Sequence, residues 1–194
     1  MKMLKFFVLF VFFAVSANAQ TKWSFDKSHS NVGFSVTHLV ISEVEGRFGS
    51  FDGTVTTKSD AFEDSEIEFK VDVNSVNTDN SKRDEHLRSD DFFNSEKYPS
   101  MIFKSTSMKK VGDNRYKLKG NLTIRDITKP IELDVKLNGV IKDPRGNTKA
   151  GFKISGSLDR FDFGLKWNSL MEVGGAVVSK TVTLNLNVEL KKES

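Results

Sequence analysis

Apolar and polar residues alternate along several long stretches of this sequence, and this period of two restricts the fold more than any other feature. In residues 182–190, valine and leucine at every second position are separated by threonine, asparagine and glutamate. Because successive side chains of a strand point to opposite faces, the pattern predicts a β-strand with one buried face. Similar alternation predicts strands at 31–40, 47–57, 67–73, 100–109, 116–124, 131–137 and 150–158.

Turn-forming residues separate the predicted strands. Residues 112–114, 125–126, 143–147 and 174–175 contain glycine, asparagine or aspartate, which are the residues that hairpin connections favour. About eight strands with apolar inner faces and polar outer faces favour a closed antiparallel barrel, an all-β fold in a single domain. A β-sandwich remains the alternative, because alternation alone does not distinguish the two architectures.

Two places break the alternation. A short helical segment is predicted near residues 81–93, where charged residues crowd together, with Ser81 as the N-cap and Phe92-Phe93 at the end. A charged helix that ends in two aromatic rings suits a plug or lid at one mouth of the barrel. The aromatic run 161–167 is out of phase with the strand before it, which predicts a bulge or turn near Asp159.

The first nineteen residues have the pattern of a secretory signal peptide. Lys2 and Lys5 flank the start of an apolar stretch of about 12 residues, and Ala17-Asn18-Ala19 fits a cleavage site. Such a stretch is too short for a permanent membrane span, which needs about 20 residues. We therefore predict cleavage after Ala19, a mature domain at 20–194, and a periplasmic or secreted location. Cysteine is absent from the sequence, so disulfides are excluded.

Charge and motif spacing narrow the function classes. The formal net charge is +3, and it falls to +1 when the two lysines of the predicted signal peptide are removed (3 − 2 = 1). Basic and acidic residues are interspersed, so we expect no nucleic-acid partner. The three histidines show no H-E-x-x-H spacing, and no G-x-S-x-G sequence occurs. We therefore predict neither a metal site nor a catalytic nucleophile.

His38 is the most informative polar residue of the first long strand. It is in phase with Val32, Phe34 and Val36, so its side chain is predicted to face the apolar interior. A polar group there needs a partner or a ligand. It either bonds to a loop at the strand end or orients a ligand head group near the barrel mouth. For His29, which precedes the strand, a capping or turn role is favoured.

Taken together, the ordered motifs of residues 21–191 resemble the YceI-like, lipocalin-like, polyisoprenoid-binding family. Asp126 departs from its pattern, because the family's hairpin commonly has glycine at that position. The motifs that carry the resemblance are Asp26, His29-Ser30, Val32, Phe34, Val36 and His38, then Gly46, Phe48, Phe51 and Gly53, then Thr78, Arg83-Asp84, His86-Leu87, Ser89, Asp91-Phe92-Phe93, Tyr98-Pro99, Phe103 and Ser105, and finally Gly120, Leu122-Thr123-Ile124, Thr128, Pro130, Arg160 and Asp162-Phe163-Gly164.

The resemblance implies an eight-stranded antiparallel barrel around a long apolar tunnel that holds a polyisoprenoid, an isoprenoid quinone or a fatty-acid derivative. It implies no established catalysis and no cofactor other than the bound lipid. For Arg83 and Arg160 a structural role is favoured over head-group binding. The predicted lumen residues are Phe34, Val36, Phe48, Phe69, Phe92, Phe103, Leu122 and Trp167, and the predicted mouth residues are His38, Arg83, Asp84, His86, Arg160 and, secondarily, His29.

Three functions are compatible with the sequence, and each makes a different prediction. A lipid carrier of the cell envelope predicts a continuous apolar tunnel and a co-purifying lipid. A filled barrel that binds a protein partner predicts no cavity and an exposed apolar patch. An envelope enzyme that uses His38 or His86 predicts turnover that is lost when the histidine is replaced by alanine. The carrier is favoured, and whether the chain forms a homodimer stays open.

Overall fold

The computed structural model describes residues 20–58, 61–170 and 177–193. Within these ranges the chain forms eleven β-strands, one α-helix and two short 3₁₀ helices at Val73–Ser75 and Arg160–Phe163. The other elements are β1 Thr21–Phe25, β2 Asn31–His38, β3 Ser42–Phe48, β4 Phe51–Thr57, β5 Glu66–Asp72, β6 Val76–Asn77, α1 Ser81–Arg88, β7 Ser100–Gly112, β8 Arg115–Ile124, β9 Ile127–Lys142, β10 Thr148–Asp159 and β11 Val178–Lys192.

All eleven strands belong to one antiparallel sheet that closes on itself. Three pairs of successive strands, β1–β2, β3–β4 and β5–β6, act as the two halves of bent strands, which leaves eight strand positions. The long strand β11 pairs with β1 through its C-terminal half and with β2 through its N-terminal half. The predicted eight-stranded antiparallel barrel is therefore confirmed, and the β-sandwich alternative is wrong.

The lower end of the barrel is closed by side chains. We call the end at which β2 finishes, at His38, the upper end, and the end at which β1 begins the lower end. Phe62, from the loop between β4 and β5, is 1% exposed and closes the lower end. Its ring lies 5.0 Å from the ring of Trp23 and 4.9 Å from that of Phe152, between ring centroids. Close aromatic packing of this kind leaves no space for a ligand.

The upper half of the barrel is open inside. Phe34, Leu184, Leu186 and Ile154 point inward according to the strand pairing, but they are only partly buried. Their accessible surface faces the interior of the barrel. If side chains filled the upper half, these four residues would be buried as completely as Phe152 is. They are not, so the upper half encloses a cavity.

Helix α1 covers part of the upper end. Its N-cap is Asn80, whose backbone is extended and whose side chain accepts a hydrogen bond from the Arg83 N–H. The predicted N-cap, Ser81, is therefore wrong by one residue. The helix ends at Arg88, because the Ser89 N–H bonds to the carbonyls of Glu85 and His86. The predicted helical segment at 81–93 is thus a helix to Arg88 followed by turns.

The turns that join the strands agree with the sequence in most places. A 3₁₀ helix capped by Asp159 forms at the predicted turn, so the run 161–167 is not a strand. In the β8–β9 turn the positive φ of 57° falls at Arg125, which explains why the turn does not need glycine at Asp126. The predicted signal peptide at 1–19 and the predicted turn at 174–175 lie outside the described residues.

Within residues 20–58, 61–170 and 177–193, no helix is both long enough and apolar enough to cross a lipid bilayer.

Candidate binding cavity

The barrel encloses a cavity of about 400 Å³ that runs from Phe62 to the upper end. This volume lies within the range of about 300 to 1,000 Å³ that is typical of small-molecule sites. Apolar side chains from all the long strands form its wall. All eight predicted lumen residues line it, namely Phe34, Val36, Phe48, Phe69, Phe92, Phe103, Leu122 and Trp167.

Most of the polar lining lies at the upper end. Four of the six predicted mouth residues, His38, Arg83, His86 and Arg160, contribute to the cavity wall there. His38 is partly exposed and faces inward at the end of β2, as its phase predicts. The cavity therefore has an apolar body and one polar end, which is the arrangement that suits an amphipathic molecule.

Arg83 and Asp84 are joined through Thr78. The Asp84 carboxylate is buried and accepts hydrogen bonds from the Thr78 N–H and hydroxyl, at 2.8 and 2.6 Å. Arg83 donates from Nε to the Thr78 hydroxyl oxygen and from Nη2 to the Thr78 carbonyl, both at 2.8 Å. Asp84 is not part of the cavity wall, so it can act on a ligand only by positioning Thr78 and Arg83.

His86 lies in an aromatic cluster at the mouth. Its ring meets the rings of Phe92 and Trp167 edge-on, with centroid distances of 5.0 and 5.3 Å. Its Nε2 atom is 2.9 Å from a carboxylate oxygen of Asp91. Phe93 also reaches the cavity and packs edge-on against Phe48 at 5.9 Å. Both rings of the Phe92-Phe93 pair thus contact the lumen, whereas the sequence predicted only one of them.

Arg160 is a buried structural cation. It is 2% exposed, and its burial lowers the pKa of the guanidinium. Its three nitrogens donate to four backbone carbonyls at 2.6 to 3.2 Å, so the guanidinium holds the segment after β10 against the start of β11. Every nitrogen of the guanidinium thus donates to the backbone of the protein itself, which agrees with the structural role favoured for Arg160. The acceptors are the carbonyls of Leu165, Trp167, Val178 and Ser179.

His29 lies away from the mouth. It sits in the bend between β1 and β2, at the opposite end of β2 from His38, with its Nδ1 atom 3.1 Å from Asp26. It does not line the cavity, so the expectation that it belongs to the mouth is wrong. The strand between the two histidines has eight residues, which separates them by about 26 Å at 3.3 Å per residue.

The bend around His29 holds a compact ionic cluster. Asp26, His29 and Glu189 are the one group in the described part of the chain whose ligand atoms lie close enough to share a metal ion. The ammonium of Lys149 lies 2.9 Å from Asp26 and 2.6 Å from Glu189. It therefore supplies the positive charge that a metal ion would bring to these two carboxylates. The hydrogen bonds from Lys149 and His29 lower the pKa of Asp26 to about 2. We therefore interpret the cluster as a clamp between strands.

Several cavity residues were not predicted from the sequence. Val182, Leu184 and Leu186 face inward along β11, and the alternation there could have identified them. Phe62 comes from a loop without periodicity, so no sequence signal predicts that its ring closes the lower end. Arg125, in the β8–β9 turn, donates to the carbonyls of Asp90, Phe92 and Gly164 and fastens the segment after α1 to the barrel.

The fold and the cavity define a class, that of closed lipocalin-like barrels with a deep apolar site. A family model described as the YceI-like domain matches residues 23–190. The chain is 40% identical over 170 residues to the UPF0312 protein ECA1782 of Pectobacterium atrosepticum, which covers 87% of this chain and 85% of that protein. The chain belongs to the YceI-like family, as its motifs indicated.

Solved structures support the same relationship. The crystal structure of a Campylobacter jejuni YceI protein is similar to this chain with a TM-score of 0.68 and 32% identity, over 87% of this chain and 96% of that one. A polyisoprenoid-binding domain from Saccharophagus degradans, described as implicated in plant cell wall breakdown, has a TM-score of 0.67 and 15% identity, over 88% and 98%. At 15% identity the second likeness concerns the fold alone.

Proposed function

We propose that this protein binds one long-chain apolar lipid in the barrel cavity and carries or sequesters it in the cell envelope. The observation that carries the proposal is the unfilled upper half of the barrel, where inward-facing Phe34, Leu184 and Leu186 keep accessible surface. A lipid chain that covers this surface gains about 25 cal/mol for each Å² of apolar area, before the costs of association. The proposed ligands are a polyisoprenoid, an isoprenoid quinone or a fatty-acid derivative.

The polar end of the cavity suits a ligand head group. Arg83 uses Nε and Nη2 to bind Thr78, while its Nη1 makes no hydrogen bond with the described residues. This nitrogen is available to an oxygen of the ligand, and His38 and His86 line the same cavity. Because the guanidinium is already oriented by Thr78, little side-chain entropy is lost when a ligand binds to it.

Comparison with relatives favours binding over catalysis. The Saccharophagus degradans domain with the same fold is described as binding polyisoprenoids, and this supports an isoprenoid as the first ligand to test. A filled barrel that acts only through its outer surface is disfavoured by the cavity. An enzyme that uses His86 and Asp91 would need a reactive group beside them, and the cavity wall around this pair is aromatic.

The proposal is tested by filling the cavity without changing the outer surface. Leu184 faces the lumen, and its neighbour Thr183 is exposed on the outer face of the same strand. With geranylgeraniol at about 100 times its dissociation constant, a bound ligand stabilises the parent protein by about 2.7 kcal/mol. This should raise the melting temperature of the parent and of Thr183→Trp by roughly 5 to 10 °C.

Leu184→Trp should lose this rise, because the indole occupies the space that the lipid chain needs. If Leu184→Trp is poorly folded, Val182→Phe provides a smaller change on the same face. Equal shifts in the outward and inward tryptophan variants would contradict a ligand site inside the barrel. No shift in the parent with isoprenoid alcohols, quinones or fatty acids would contradict the proposed function itself.

A further inference from the structure

The turn between β2 and β3 is apolar and exposed at the upper end of the barrel. Leu39, Val40 and Ile41 form this turn, with exposures of 36%, 70% and 86%. They follow directly after His38, which lines the cavity. A polar turn would be the ordinary choice for a hairpin in water, so three consecutive exposed apolar residues at this place need an explanation.

A neighbouring segment extends the same apolar surface. The N–H of Leu39 donates to the carbonyl of Val177 at 2.9 Å, and the N–H of Val177 donates to the carbonyl of Ser169 at 2.8 Å. These bonds link the turn through Val177 to Ser169, and the residue after Ser169, Leu170, is 72% exposed. Val177, between the two segments, lines the cavity. We call the surface formed by Leu39, Val40, Ile41 and Leu170 the apolar rim.

The backbone of the turn is unfavourable for the residues that occupy it. Leu39 and Val40 have φ values of 50° and 65°, and the Ile41 N–H closes the turn on the His38 carbonyl at 3.2 Å. A hairpin turn with two positive φ values favours Asn-Gly, and a β-branched valine in this region is strained. Strain of this kind is retained where a function needs the residue. The turn therefore keeps its apolar side chains at the expense of stability.

The charged residues that follow the turn are acidic, so the rim would bind a partner surface through apolar contact and not through attraction to an anionic surface. Glu43 and Glu45 follow the turn on β3 and are exposed, and acidic groups would repel an anionic surface. The rim side chains are aliphatic and carry no polar group that would orient a protein partner. A lipid bilayer accepts aliphatic side chains without needing complementary shape or charge.

We propose that the apolar rim inserts into the surface of a lipid bilayer, so that a lipid passes between the bilayer and the cavity without crossing water. The inference rests on the proposed function, because a docked rim matters only if the cavity exchanges a lipid. Insertion places the polar end of the cavity, with His38 and Arg83, at the level of the lipid head groups. Binding should then depend little on salt, because attraction between charges contributes little to it.

The test is flotation of the purified protein with phosphatidylcholine vesicles, whose neutral surface removes electrostatic attraction. The parent should float with the vesicles, and Ile41→Asp should lower the bound fraction about tenfold. A double variant, Leu39→Asn with Val40→Gly, should lower it equally while melting at or above the parent temperature, because this pair suits the turn. Ile141→Asp is the matched control, because Ile141 is 64% exposed at the lower end of β9 and should not affect flotation.

A second measurement separates this proposal from the function on which it rests. Geranylgeraniol binding without vesicles, measured by thermal shift, should be the same in the parent and in the rim variants. If the parent binds geranylgeraniol but does not float, or if the rim variants float as it does, the rim proposal is overturned and the lipid-binding function stands. If the parent shows no thermal shift with any tested lipid, the lipid-binding function itself fails.

Discussion

Arg160 illustrates how a single side chain can hold the upper end of the barrel together. Replacing it with methionine keeps most of its volume but leaves four carbonyls, which are partly or fully buried, without their charged donor. Each lost bond to a charged group contributes more than a neutral one, so we expect the free energy of unfolding to fall by about 3 kcal/mol. Thermal melts of Arg160→Met should show a decrease of roughly 6 to 12 °C.

The control for this prediction is Arg145→Met. Arg145 is exposed in the β9–β10 turn, where only its backbone N–H binds Asp143. Substitutions of exposed residues that take part in no buried hydrogen-bond network change the free energy of unfolding by less than about 0.5 kcal/mol. An Arg160→Met protein as stable as Arg145→Met would mean that the buried guanidinium is not needed to satisfy these carbonyls.

The clamp at Asp26 predicts a defined pH dependence. Its pKa is about 2 in the folded protein, against an ordinary value of 3.8 for an aspartate in an unfolded chain. Its contribution to stability is therefore present above pH 3.8 and is lost as the pH falls towards 2. The full contribution is about 2 kcal/mol, of which about 1.5 kcal/mol is lost between about pH 6 and pH 2.5. Urea unfolding of the parent should show this loss, and Asp26→Asn should reduce it. If the free energy of unfolding depended on pH equally in the parent and in Asp26→Asn, the interpretation of the cluster as a clamp would be wrong.

Residues in regular strands were predictable from the sequence, whereas residues at the bend that interrupts a strand were not. The phase of β2 placed His38 at the cavity, because a period of two determines which face a side chain occupies. His29 belongs to the bend between β1 and β2, where no period applies, and so its end of the barrel could not be predicted. The partner of Asp84 was also unpredictable, because Thr78 approaches it only through the fold of the loop before α1.

The segment that follows α1 is fastened to the barrel by Arg125. This side chain donates to the Phe92 carbonyl at 3.1 Å and pairs with the Asp90 carboxylate at 3.1 Å. Replacing Arg125 with alanine should free residues 89–98 and speed the dissociation of geranylgeraniol about tenfold. Hydrogen exchange should rise in residues 89–98 and stay unchanged in β9 to β11.

Arg115→Ala is the matched control for this element. Arg115 begins the same strand, β8, at the lower end of the barrel and is exposed, so its loss should affect neither the dissociation rate nor exchange in residues 89–98. Unchanged dissociation from Arg125→Ala would show that a lipid enters and leaves without movement of this segment.

The elements were predictable to different degrees for physical reasons. Long strands such as β7, β9 and β11 have a periodic pattern that is independent of their neighbours. The helix was found, but its N-cap was displaced by one residue, because Asn80 and Ser81 are both good capping residues and only the backbone conformation distinguishes them. The strand β1 has five residues, and so short a stretch gives little alternation to detect.

At the scale of the whole molecule, the closed barrel followed from the sequence, but the empty upper half did not. Alternation determines which residues point inward and leaves open whether they fill the space between the strands. That depends on the register across the barrel and on Phe62, whose ring fills the lower end from a loop without a periodic signal. The cavity, which the sequence alone does not predict, is therefore the observation that favours lipid binding among the three function classes.

Native mass spectrometry of the protein purified from its own cell envelope, followed by organic extraction, tests the central claim most directly. We predict a mass that exceeds that of the mature chain by one apolar lipid, and an extract that contains this lipid. Leu184→Trp, prepared in the same way, should carry much less of it. A parent protein without any bound lipid, which also fails to bind isoprenoid lipids added afterwards, would contradict the claim that the cavity is a lipid site.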